Sequence, residues 1–121
     1  MIFYQECLGG ELAIQKVSES PMAADLPSEA GAHVLHSALV KDNLVLMASD
    51  MIGAALVKGN DISLCLNCQH EDELATIFTR LSDGGEVKTP LHQSFWGATY
   101  GELTDRYGVN WMLNFSRDQK V

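Results

Sequence analysis

The chain has 121 residues, with 8 Lys+Arg against 16 Asp+Glu, a formal net charge of −8. That balance, with no Lys/Arg cluster to override it locally, excludes a phosphate backbone or an anionic membrane surface as a natural partner. At 46% hydrophobic and 20% charged residues, the composition is that of one soluble globular domain, residues 1–121. No apolar run approaches the roughly 18 residues of a spanning helix, and the first ten residues lack a basic, signal-like start. Three cysteines, Cys7, Cys65 and Cys68, are too few and odd in number for a disulfide framework, so a cytoplasmic location is expected.

Taken in chain order, Ile2 to Leu8 reads as a short helix closed by Gly9-Gly10. Strands follow over Glu11 to Val17, Val34 to Val40 and Leu44 to Ser49, the last two joined by a turn at Lys41-Asp42-Asn43. Between the first two strands lies a polar, Pro-containing loop from Ser18 to Gly31. Residues 53–60 read as a linker after an incomplete first unit, residues 1–52.

The second unit, residues 61–121, opens with an alternating strand from Asp61 to Cys68. A helix over residues 70–83 follows, because Leu74, Ile77, Phe78 and Leu81 recur at helical spacing behind Glu71, Asp72 and Glu73. Three strands complete it: Glu86 to His92, Ala98 to Thr104 and Asn110 to Phe115. The last two are joined by Asp105-Arg106-Tyr107-Gly108, with Gly where positive φ is tolerated.

The units are related. Ile2-Phe3 with Gly9-Gly10-Glu11-Leu12 reappears as Ile77-Phe78 with Gly84-Gly85-Glu86-Val87, at a constant offset of 77 − 2 = 75. Each copy is a helix-to-strand corner at a Gly-Gly. The predicted fold class is therefore α+β, built from paired βαβββ units. By the same offset the first unit would begin near 61 − 75 = −14, so it is expected to lack its first strand.

Alternation assigns faces. Ile62, Leu64 and Leu66 oppose Ser63, Cys65 and Asn67; Trp111, Leu113 and Phe115 oppose Asn110, Met112 and Asn114. An apolar face suits a helix, and a small, polar face suits a wetted concavity. Cys65 and Cys68, three apart on a strand, point to opposite faces and suit ordinary thiols better than a zinc or redox pair.

Several segments carry a resemblance: Phe3-Tyr4-Gln5 with Gly9-Gly10, His36-Ser37-Ala38-Leu39, Leu46-Met47-Ala48-Ser49-Asp50, Asn60-Asp61-Ile62-Ser63-Leu64, Phe95-Trp96-Gly97-Ala98-Thr99-Tyr100-Gly101 and Thr104-Asp105-Arg106-Tyr107-Gly108-Val109-Asn110-Trp111. Together with the duplication they resemble the vicinal oxygen chelate superfamily of glyoxalases, bleomycin resistance proteins and dioxygenases. Within it they look like the PhnB-like branch, whose domain bears the description 3-demethylubiquinone-9 3-methyltransferase. The Gly-rich loop that a methyltransferase of the usual kind uses for its nucleotide-like cofactor is absent. The resemblance implies a homodimer, and superfamily chemistry rests on a divalent metal held by inward His and Glu residues. Those positions fall here on Asp61, on Met112 and near Val45 to Met47, which is not a chelating set, so no metal or other cofactor is expected.

The expected function is binding of a small organic molecule, of a sequestration or resistance type, with a degenerate metal site. Alternatives are a metal-dependent lyase, isomerase or dioxygenase using a non-standard site that includes His36, and an interaction-only protein with a vestigial cleft. The expected ligand-binding residues are His36, Ala38, Asp50, Ser63, Cys65, Asn67, Trp96, Tyr100, Met112 and Asn114. Ala38 leaves room beside His36, and Trp96 next to Gly97 can wall a pocket. Asp50 either pairs with His36 or caps a turn. His33, His70 and His92 read as surface or junction residues, Trp111 as core, and Asp105 with Arg106 as a turn ion pair. Any specificity for an anionic ligand is expected to come from a few local donors such as Arg106, against the chain's overall negative field.

Overall fold

The structure is a computed structural model and describes residues 1–26, 28–95 and 97–116. It divides into two compact units, Met1–Val57 and Lys58–Val121. Among the described residues no helix is long and apolar enough to cross a membrane.

In the first unit, helix α1 (Ile2–Leu8) buries Phe3, Cys7 and Leu8, and a three-stranded antiparallel sheet follows, ordered β1 (Glu11–Lys16), β2 (Val34–Lys41), β3 (Leu44–Ala48). Register pairs Leu12 with Leu39 and Leu39 with Leu46, which places them on the buried face with Ser37. The Ser18 to Gly31 stretch differs from a plain loop. It winds through 3₁₀ turns at Val17–Glu19, Pro21–Asp25 and Ser28–Ala32 that bury Val17 and Ala30. The physical reason is local: Pro21 starts its turn with φ preset, and the Ser20 hydroxyl donates to the Val17 carbonyl at 2.8 Å.

The second unit has four strands in the order β4 (Leu64–Cys68), β7 (Asn110–Ser116), β6 (Ala98–Thr104), β5 (Glu86–Gln93). β4 runs parallel to β7 and the rest pair antiparallel. Helix α2 (Glu71–Ser82) buries Leu74, Ile77, Phe78 and Leu81, the four residues its periodicity singles out. They cover the sheet face that carries Leu103, Trp111 and Leu113, all at most 4% exposed. Phe78 lies over Gly101, where a Cβ would come within 2.8 Å of its ring. The Asp61 to Cys68 strand is shorter than expected. It begins at Leu64, opposite Trp111, and Ile62 before it is 74% exposed.

The repeated corner is real in three dimensions. Gly9 and Gly84 take φ of +79° and +78°, while Gly10 and Gly85 press against the neighbouring strand. A Cβ at Gly10 would meet the Val40 carbonyl oxygen at 2.5 Å, and one at Gly85 the Thr104 carbonyl oxygen at 2.2 Å. Each helix end also receives a cation from the hairpin opposite. Lys41 donates to the Leu8 carbonyl at 2.9 Å, and the Arg106 Nε donates to the Asp83 carbonyl at 3.2 Å.

Candidate functional site

The face of the second sheet turned away from α2 is built by register. Cys65 pairs with Met112 and Asn67 with Asn114 across β4 and β7; Met112 pairs with Glu102 and Asn114 with Tyr100 across β7 and β6; Glu102 then pairs with Thr89 and Tyr100 with His92 on β5. Directly paired residues share a face, so these eight side chains form one open surface spanning four strands.

Their polar groups engage one another. The Tyr100 hydroxyl donates to Glu102 Oε1 at 2.5 Å, and the Thr89 hydroxyl to Glu102 Oε2 at 3.3 Å. Asn114 Nδ2 donates to Asn67 Oδ1 at 3.2 Å, and the Thr104 hydroxyl to Asn110 Oδ1 at 2.8 Å. The His92 ring stands edge-on to Tyr100, centroids 6.2 Å apart, and its Nδ1 lies 2.9 Å from the Pro90 carbonyl. A carbonyl only accepts, so Nδ1 carries the proton of that bond. Burial is the main cause that pushes the Tyr100 phenol up to about 12, reinforced by the bond to Glu102, the Glu102 charge and Cys65. Burial alone pushes the Cys65 thiol up. At neutral pH the face therefore offers a phenol and a thiol rather than their anions.

The first unit presents an open face too, of different chemistry. Register places Ala13, Gln15, His36, Ala38, Val40, Val45 and Met47 together, with Val45 55% and Met47 61% exposed. His36 stands exposed on this face, paired with Gln15.

The expected site residues are thus distributed as follows. Cys65, Asn67, Tyr100, Met112 and Asn114 share the second unit's open face; His36 and Ala38 share the first unit's. Ser63 lies one residue before β4 begins, outside the paired register. Asp50 does not pair with His36. Its Oδ2 accepts from the Val34 amide at 2.7 Å while its own amide donates to the Val34 carbonyl at 2.9 Å, which ties the end of the β3 chain to the start of β2. Trp96 lies outside the described residues.

Two other expectations are corrected. Asp105 and Arg106 do not form an ion pair with each other. Asp105 is buried and accepts from the Tyr107 and Val109 amides and from the Trp111 indole, at 2.8, 3.1 and 2.9 Å, which is how a buried carboxylate is satisfied. Arg106 binds Asp83 at 3.0 Å beside the end of α2, so it is not aimed at the open face. His92 is exposed, as expected of a surface residue, and its pairing with Tyr100 places it on the open face. Sequence reasoning missed Glu102 and Thr89 altogether. Alternation within Tyr100-Gly101-Glu102-Leu103-Thr104 carried the signal for Glu102, since Leu103 marks the buried face.

Among the described residues no three His, Cys, Asp or Glu side chains converge as a metal-binding group. A shallow hollow lined by Glu71, Gln93, Thr99 and Phe115 lies at the α2 side of the same sheet and contains none of the open-face residues.

Comparison with known proteins agrees with this architecture. The family model described as 3-demethylubiquinone-9 3-methyltransferase matches residues 1–114. Protein YjdN of Escherichia coli (strain K12) is 30% identical, over 97% of this chain and 86% of its own length. A Pseudomonas aeruginosa protein of known crystal structure is 36% identical with a TM-score of 0.81, covering 95% of this chain and 85% of that one. A PhnB protein from Bacillus cereus shares the fold at 23% identity and a TM-score of 0.70, over 96% and 88% of the two chains. The chain belongs to the family described as 3-demethylubiquinone-9 3-methyltransferase, and its fold is shared by a glyoxalase/bleomycin resistance protein/dioxygenase family enzyme of known structure from Burkholderia phytofirmans.

Proposed function

We propose that this protein binds a small organic molecule on the open face of its second sheet without using a metal, in the manner of a sequestering or resistance protein. The carrying observation is a hydrogen-bonded network in two parts drawn from four strands, Asn67 with Asn114 and Thr89 with Glu102 and Tyr100. Such a network holds donors and acceptors in place before a ligand arrives, which lowers the ordering cost of binding. Met112 at its centre supplies an adaptable apolar contact. We also propose a cytoplasmic homodimer. The free thiols Cys7, Cys65 and Cys68 suit a reducing compartment, and β3 is an edge strand whose exposed Val45 and Met47 favour a covered state.

The test is metal analysis of protein purified without chelator, joined to thermal-shift measurements with Mn, Fe, Ni and Zn and with a panel of small organic molecules. Stabilisation by organic molecules at low metal content supports the reading. Stoichiometric metal that is lost in His36→Ala overturns it in favour of metal-dependent chemistry.

A further inference from the structure

We propose that the ligand recognised on this face is an organic cation, an amine or quaternary ammonium attached to an apolar body, with Glu102 as its counter-ion and Tyr100 as its aromatic wall. The inference rests on the binding reading above and adds the chemical class.

Glu102 is the face's uncompensated charge. Its two carboxylate oxygens accept from two neutral hydroxyls, those of Tyr100 and Thr89, which orient it without cancelling it. The lysine of the same strand pairing, Lys88, sits in the β5 bulge with its ammonium on Glu86 at 3.1 Å, and Arg106 is taken by Asp83. Among the described residues no cationic side chain reaches Glu102. A half-buried carboxylate with no cation of its own attracts one from solution, and the chain's net charge of −8 adds to that field.

What surrounds Glu102 narrows the class further. Tyr100, two residues along the same strand, brings an aromatic ring whose face attracts a cation, and Met112, directly opposite Glu102, brings a polarisable apolar surface. Cys65 pairs with Met112 and continues the apolar strip, while the Asn67–Asn114 amide pair bounds it. A hard, hydrated metal ion keeps its water shell and gains little from the ring and thioether. A cation carrying apolar substituents gains from both, whereas an anion meets only repulsion from Glu102.

The test uses one apolar body with three heads: 4-phenylbutylamine, 4-phenylbutanol and 4-phenylbutyrate, titrated into the full chain and followed by backbone amide NMR shifts. The amine is expected to shift the amides of Tyr100 to Leu103 and Trp111 to Leu113 saturably, about tenfold more tightly than the alcohol, with the carboxylate weakest. That preference should shrink as salt rises, and Glu102→Gln should bring the amine to the alcohol's affinity. Tyr100→Phe, which keeps ring and charge, should retain the amine preference. Equal affinity for amine and alcohol, or an amine preference untouched by Glu102→Gln, overturns the cation inference while saturable alcohol binding leaves the binding face standing. Absence of saturable shifts from all three probes overturns both. Should Glu102→Gln not fold, the salt-dependent difference between amine and alcohol in the unaltered chain decides the matter alone.

Discussion

The two units use the same corner and the same first two strand pairings to opposite ends. Glu11 pairs with Val40 and Glu86 with Thr104, so residues of β2 and β6 correspond at an offset of 104 − 40 = 64. By that correspondence His36 matches Tyr100, Ala38 matches Glu102 and Lys41 matches Asp105. Leu39 faces Leu46 where Leu103 faces Trp111, so Met47 likewise matches Met112. Helix-side positions stay interchangeable in kind: Leu39 and Leu103 are both essentially unexposed. Open-face positions diverge, apolar and small around His36, carboxylate and phenol around Tyr100. Packing against a helix constrains shape and polarity at once, whereas a solvent-facing sheet surface is constrained only by the pleat.

The sharpest way to break the correspondence is at the corners. Gly85→Ala drives a Cβ to within 2.2 Å of the Thr104 carbonyl oxygen, and Gly10→Ala to within 2.5 Å of Val40's. Each should lower unfolding stability by about 3 kcal/mol in urea titrations. If one substitution is costly and the other is not, the units do not share the corner in energetic terms.

A smaller effect separates the units rather than equating them. Asp105→Asn keeps the shape but turns an amide donor toward the Trp111 indole or the turn amides, and should cost about 2 kcal/mol by the same measurement. Its counterpart Lys41, which only caps α1, should cost about 0.5 kcal/mol as Lys41→Ala. Similar costs at the two positions would mean that the buried carboxylate is not the anchor of the second unit's turn.

The mildest test concerns pH. The Tyr100 phenol is raised from 10.0 to about 12, chiefly by burial and then by Glu102. The folded state therefore holds this proton more tightly than the unfolded chain. The resulting stability is fully present below pH 10 and is lost as pH climbs toward 12. In an ultraviolet phenolate titration, one of the chain's three tyrosines should ionise last, and Glu102→Gln should lower its midpoint. His36, at the matching position of the first unit, has no such carboxylate beside it, so Ala38→Glu would show whether the pairing can be transplanted.

Much of this architecture was legible in local pattern. The spacing of Leu74, Ile77, Phe78 and Leu81, the Gly-Gly corners at an offset of 75 and the alternation of Trp111 and Leu113 all depend on residues close in sequence, and such periodicities survive without knowledge of the partners. Alternation alone puts Cys65 with Asn67, and Met112 with Asn114, on one face of their own strand. What tertiary structure decided was which strands lie side by side. Only the β6–β7 and β5–β6 registers bring Glu102 opposite Met112 and between the Tyr100 and Thr89 hydroxyls, and only the folded turn sinks Asp105 against Trp111 while leaving Arg106 to Asp83. Alternation tells a residue its face but not its neighbours, because cross-strand pairing is settled by contacts between residues distant in the chain.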